Sequence, residues 1–293
     1  MTTRQNGHRA IAVANRPSRR GPYSGALPAV VGFVPGFLRG FVAEAGGMAR
    51  LLARIVWSAV RHPRGYWGAV VDDMHRTIKQ AWLPVSAAIF GFLMFISMLT
   101  VIFFHMAGAV SLFPPMLFLH SVRTFTIWVI SVVVAGVIGA AQAADIGARK
   151  VREEIDAMEV MGIDPVRDLA VPRVISITLV TMLLSMPSLL VTAFSMQLGA
   201  LYVAHVQSAD FSHNLFENLS PIDIAALVVN SLLVGLLIGT VCCYKGFSAA
   251  GGAIGLGRAV NQAVVISFVG IWVLQLAFQA IVLGLFPKLG AFR

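Results

Sequence analysis

TFTIWVISVVVAGVIGAAQAA, residues 124–144, runs for 21 residues without a Lys, Arg, Asp or Glu. Wound as a helix at about 1.5 Å per residue, that length crosses the roughly 30 Å hydrocarbon core of a bilayer. Directly after it comes DIGARKVREEIDAMEVMGIDPVRDLAVPR, residues 145–173, which holds seven of the 13 acidic residues in the 293-residue chain. The pairing decides the fold: a membrane-crossing helix delivers the chain to a charged, turn-rich link in water.

The same reading extends in both directions. Residues 81–122, 174–209, 224–244 and 259–287 are also free of the four charged residue types. The first is too long for one crossing, and AGAVSLFPP (107–115) breaks it with Gly and a Pro pair. Five spans result, near 81–106, 122–144, 174–204, 223–244 and 260–286, in an all-α integral membrane protein. A charged fraction of 12% supports this, since a soluble domain carries about 25%. Residues 1–80 hold twelve of the 22 Lys and Arg, 149–173 hold five, and Lys245 and Arg258 flank the fourth connection. Only Arg123, Lys288 and Arg293 fall on the other side. That bias places the N-terminus and the 145–173 link in the cytoplasm and the C-terminus outside an inner (plasma) membrane. The net charge of +9 then describes a basic face beside anionic lipid, and no nucleic-acid partner is implied.

Ahead of the spans, residues 1–37 read as a basic, disordered tail with no apolar core of a signal peptide. Residues 38–80 read as an interfacial amphipathic segment. Phe41, Met48, Leu51, Leu52, Ile55, Val56 and Ala59 recur at helical spacing, with Arg50, Arg54 and Arg61 on another face. Such a helix lies in the membrane surface, its arginines at lipid phosphates. Trp67 and Trp82 bracket the approach to the first span as aromatic anchors. The expected lipid contacts are Arg50, Arg54, Arg61 and Trp67. Residues 81–293 form the membrane domain proper.

Several chemistries are disfavoured. Strong polar groups within the spans are limited to His105, Gln142, Gln197, Asn230, Gln275 and Gln279, with no mid-span carboxylate or lysine. An ion-coupled carrier needs ionisable groups in its pathway. Cys242 and Cys243, the only cysteines, are adjacent and read as small packing residues, offering no metal cluster. His105 and His120 have no acids near them in sequence, so lipid hydrolysis lacks its acid–base pair. GGAIGLGR (251–258) has the glycine spacing of a phosphate loop but continues with Arg258 and Ala259 instead of Lys-Ser/Thr, so it reads as a tight turn. Pro187 is expected to kink the third span or end a turn in it.

The link 145–173 is more than a solvated loop. Val151, Ile155 and Met158 give a short helix one apolar face, while Glu153, Asp156 and Glu159 take the others. Gly162 is placed to stop that helix in a left-handed turn, with Ile163 against Met158. Asp164 as N-cap and Pro165 at the first helical position start a second helix, and Pro172–Arg173 close the segment before the third span. An acidic knob on a rigid corner suits docking into a basic groove of a soluble partner.

EEIDAMEVMGIDPVRDLAVPR (153–173), followed downstream by GGAIGLGRAVNQAVV (251–265), resembles the MlaE/YrbE family of ABC-transporter permeases, and most of all the actinobacterial YrbE subunits of Mce lipid-transport complexes. The resemblance implies a permease domain over 81–293 with no ATPase activity of its own and no cofactor in this chain. ATP and Mg would be held by a cytoplasmic ABC ATPase dimer. It further implies a second permease copy or paralogue, external Mce proteins forming a lipid conduit, and a membrane lipid as cargo. The link becomes the coupling helix, with Glu153, Glu154, Asp156, Met158, Glu159, Met161, Gly162, Asp164 and Pro165 meeting the ATPase. The chain departs from the family pattern in its tail and in ADIGARKVREE (144–154). An anchor for a multi-subunit envelope complex, without a transport path, is the alternative.

Overall fold

In the computed structural model, residues 36–61, 65–106, 108, 120–204 and 220–285 are described. Most of the basic tail, nearly all of the 107–119 connection, and Lys288 and Arg293 lie outside the described residues. A division between Glu44 and Ala45 sets residues 1–44 apart as their own unit, of which Gly36–Glu44 is helical.

Every regular element among the described residues is helical, and five helices are long and apolar enough to cross a membrane. Helix α1 is Gly36–Arg61 and α2 is Trp67–Met106. The second span, α3, is Ser121–Val151. A short helix α4 follows at Glu154–Val160, then α5 at Val171–Ala204, α6 at Pro221–Phe247 and α7 at Gly252–Leu285. This is the expected all-α, five-span architecture.

Side-chain spacing sets the packing. On α2, Ala81, Val85, Ile89, Leu93, Ser97 and Val101 are all buried, an unbroken i, i+4 row that forms one ridge inclined to the helix axis. The ridge lies against α5, where Ser97 Oγ donates to the Met196 carbonyl at 3.2 Å. Helix α5 also packs on α6, and α6 and α7 both pack on α3. Gly235 and Gly239 let α6 sit directly on α5: a Cβ at Gly235 would lie 2.7 Å from Thr178 Cα, and one at Gly239 3.1 Å from Val174 Cα. Both close approaches lie within a single chain. Polar side chains bind helices where no water competes. Thr126 and Thr192 hydroxyls meet at 3.0 Å between α3 and α5, and Asn230 Nδ2 donates to Gln275 Oε1 at 3.0 Å between α6 and α7. Each such bond contributes about 1 kcal/mol in a membrane bundle.

Several boundaries differ from those read in the sequence. Helix α2 begins at Trp67 and not near 81, because no helix breaker lies between them and Pro84 is carried inside the helix. Helix α5 runs through Pro187, and Pro172 opens it instead of closing the link. Proline has no N–H to give the helical ladder, and the wide π-type turn at Val166–Ala170 lies directly ahead of it. Two more π turns, Ser121–Phe125 and Val134–Gly139, interrupt α3. Lys245, counted from sequence among the surface charges, is buried at the end of α6 and donates to Gln262 Oε1 at 3.1 Å.

Candidate functional site

The link between the second and third spans is built from three consecutive turns. Helix α3 ends at Val151, and the chain reverses through Arg152 and Glu153. Arg152 N–H bonds to the Ala148 carbonyl at 3.0 Å and Glu153 N–H to that of Lys150 at 3.1 Å. Glu153 has φ 61°, and it alone among the described non-glycine residues has positive φ. An L-residue there costs about 1–2 kcal/mol. Helix α4 follows, with Glu154 and Asp156 in its first turn, where the positive end of the helix dipole favours acids.

The corner matches its sequence signals closely. Gly162, φ +80°, donates to the Glu159 carbonyl at 3.1 Å, and Ile163 N–H donates to that of Met158 at 2.9 Å. These are the two bonds of a Schellman motif, with Gly162 in the left-handed position. Asp164 Oδ1 then accepts the Val166 N–H at 3.1 Å, and Pro165, φ −62°, leads into the turn at Val166–Ala170. The rigidity comes from backbone bonds that a mobile loop would lack.

The charges are arranged differently from expectation. Lys150 Nζ holds Asp156 Oδ1 at 2.5 Å, and Arg152 Nε holds Glu154 Oε1 at 2.9 Å. Asp145 takes Arg173, and Arg149 at 3.8 Å. Two of the acids expected to face a basic partner are therefore neutralised within the chain by exposed pairs, each worth only about 0–1 kcal/mol. Glu153 and Glu159 are exposed and make no ion pair among the described residues. Ile155 and Pro165 are buried and Met158 is half-buried, so these three hold the link to the bundle.

The outermost surface is apolar. Val160 is 88% exposed and Met161 67%, with Ile163 beside them beyond the corner. The spacing rule that found the inner face missed Val160. The signal was present, since Val160 stands off the Val151–Ile155–Met158 face and has no reason in the fold to be apolar.

Of the residues expected at lipid, Arg50, Arg54 and Arg61 are exposed and Trp67 is about half-exposed. The Arg61 guanidinium lies 5.8 Å from the centre of the Trp57 ring. The apolar face of α1 divides: Leu51 and Ile55 are buried among residues of the link and of α6, while Val56, Trp57 and Val60 are exposed. The Gly-rich stretch forms a tight turn, with Gly251 at φ +90° and Gly252 at φ +68° between α6 and α7. No strand precedes it among the described residues.

At the opposite end of the bundle, sequence reasoning missed an ion pair. Arg123 Nε lies 2.7 Å from Asp223 Oδ1, and Asp223 is 2% exposed. Its other oxygen accepts the Ser220 N–H at 3.1 Å, closing a capping box on α6. The run SPID (220–223) carried that signal, a serine three residues ahead of an acid. His120 packs edge-on against Phe125 at 5.1 Å. Burial, then the Arg123 charge, hold its pKa below the usual 6.5. Among the described residues no three His, Cys, Asp or Glu side chains are placed to hold a metal ion.

A family model described as Permease MlaE matches residues 70–281. A probable ABC transporter permease protein of Rickettsia conorii is 35% identical over 137 residues, which is 45% of this chain and 51% of that protein. The chloroplastic protein Trigalactosyldiacylglycerol 1 of Arabidopsis thaliana is 34% identical over 143 residues, 49% of this chain and 41% of that one. A probable ABC transporter permease protein of Synechocystis is 33% identical over 147 residues, 49% and 54% of the two. The chain spans about half the length of the curated relatives it matches.

Proposed function

The chain belongs to the MlaE permease family, and from that premise we propose that it is the membrane half of an ABC-type lipid transporter, driven through its 145–173 link. A separate cytoplasmic ATPase dimer binds ATP and Mg and receives the link. A second permease copy or paralogue completes the membrane part, in an inner membrane with the N-terminus in the cytoplasm. Lipid passes between the bundle and an extracytoplasmic conduit of Mce proteins, as in the YrbE branch of the family. Lipid contact by Arg50, Arg54, Arg61 and Trp67 belongs to the same reading.

One observation carries it. The link is fixed on its inner side by Ile155, Pro165 and Val166, all buried, and presents Val160, Met161, Glu153 and Glu159 outward. A segment gripped by the bundle and open at its tip can take force from a partner and pass it to the spans. The chemistry in this chain is mechanical: hydrolysis elsewhere shifts a helical bundle between two packings. The charges kept inside the chain direct the partner's contact toward the apolar tip, with Glu153 and Glu159 at its rim.

ATP-dependent lipid transfer by the complex in proteoliposomes tests the proposal. Transfer that requires ATP and is lost when the tip is altered supports a permease. A complex that assembles on this chain while transfer proceeds unchanged with an altered link would identify an anchor instead.

A further inference from the structure

The apolar stripe of α1 is set into the same core that holds the coupling segment. Leu51 and Ile55 are buried in one contiguous cluster with Ile146 of α3, Ile155 of α4, Val166 and Ala170 of the π turn, Val171 and Val174 of α5, and Cys243 of α6. Ile55 is only 2% exposed. One turn of helix before Leu51, at Gly47, the backbone comes close to the end of α6: a Cβ there would lie 2.4 Å from Tyr244 Oη. At the other end of the helix, Ala59 packs on the cluster and its carbonyl accepts the Tyr66 hydroxyl at 3.2 Å. Gly47, Leu51, Ile55 and Ala59 are spaced four apart, a single row down one side of α1.

This arrangement differs from that of a helix merely resting on a bilayer. A surface helix would turn Leu51 and Ile55 to the acyl chains. Here those side chains lock into the protein, and the face left outside is Val56, Trp57 and Val60 with the arginines. Closely packed interiors transmit displacement because no empty space absorbs it. A cluster that contains both Ile155 and Ile55 cannot move at one without the other moving or the contact opening.

We infer that α1 is a second output arm of the coupling segment, with Leu51 and Ile55 as the positioning residues that carry displacement of α4 and the Val166–Ala170 turn to the membrane-surface helix. The inference rests on the reading of 145–173 as the coupling element. It adds a consequence for cargo: each stroke would shift Trp57, Val60 and the α1 arginines relative to the surrounding lipid, beside the spans that the lipid must reach.

The test is hydrogen exchange on the full complex in nanodiscs, with its own ATPase, compared without nucleotide and with ATP plus vanadate. Amides in 154–171 and in 48–59 should change their exchange rates together, severalfold. Ile55→Ala should keep the response at 154–171, lose it at 48–59, and lower the lipid moved per ATP hydrolysed. Ile55→Val should restore both. A wild-type complex in which 154–171 responds while 48–59 does not would overturn the second arm and leave the coupling reading intact. If neither segment responds, the coupling reading itself fails and the second arm with it. The wild-type comparison decides even if Ile55→Ala does not fold.

Discussion

At the scale of single residues, Gly162 is the most demanding position in the link. Its φ of +80° lies where a β-branched side chain is strongly disfavoured, and its two neighbouring Schellman bonds fix the direction of everything after α4. Gly162→Val should therefore release the corner while the bundle stays folded. The expected result is loss of ATP-driven transfer with unchanged thermal stability of the spans, read from transport and from melting in detergent. Asp223 presents the opposite case. Replacing it with Ala removes the carboxylate from Arg123 and the acceptor from the α6 cap, and breaking a buried pair typically costs about 3–5 kcal/mol. Asp223→Ala should lower the melting temperature clearly, and Asp223→Asn, which keeps an acceptor for Ser220, by less. Equal melting for the two would show that the charge, and not the cap, is what matters. Asp72 and Asp73 also separate at this scale. Asp73 accepts Gln142 Nε2 at 3.0 and 3.1 Å across two helices, so Asp73→Lys should destabilise, whereas exposed Asp72→Lys should not. The residues legible in sequence were those with local turn chemistry: Gly162, Asp164 and Pro165. The pairing of Lys150 with Asp156 was not legible, because it depends on the reversal at Glu153, which no turn residue announces.

At the scale of elements, α4 is short, and two of its three acids, Glu154 and Asp156, are paired within the chain. Charge reversal at a rim changes affinity little, whereas burying an apolar side chain is worth about 1.5–3 kcal/mol. That range corresponds to about 10- to 100-fold in a dissociation constant. Val160→Asp or Met161→Asp should weaken co-purification of the ATPase by that order, and Glu154→Lys or Asp156→Lys by much less. A larger loss from the charge reversals would restore the acidic docking surface expected from sequence. The number of spans was legible because hydropathy is a one-dimensional property. Periodicity reports that a face of α1 is apolar and not what covers it: Leu51 and Ile55 are buried in the protein, while Val56, Trp57 and Val60 are exposed. The same limit hid the start of α2 at Trp67, where the helix simply continues past the polar approach.

For the whole molecule, the ends of the helices sort into two faces. Leu51 and Ile55 of α1, the 145–173 link and Cys243, Tyr244 and Phe247 of α6 meet in one cluster, so these elements and the turn after α6 share a face. The buried Arg123–Asp223 pair marks the other face, at the starts of α3 and α6. Arg50, Arg54 and Arg61 of α1 and Arg149, Lys150, Arg152, Arg167 and Arg173 of the link belong to the elements of the first face. Under the positive-inside rule, that is the face proposed to meet the cytoplasm. Cys242 and Cys243 are buried, which leaves the wild-type chain a silent background for thiol labelling. A cysteine at exposed Ser248, in the turn after α6, should resist an impermeant thiol reagent on intact spheroplasts and react once the membrane is opened. One at Ile222, exposed at the start of α6, should react in both conditions. The reverse pattern would put the coupling segment outside the cell, away from ATP, and the proposed drive could not operate.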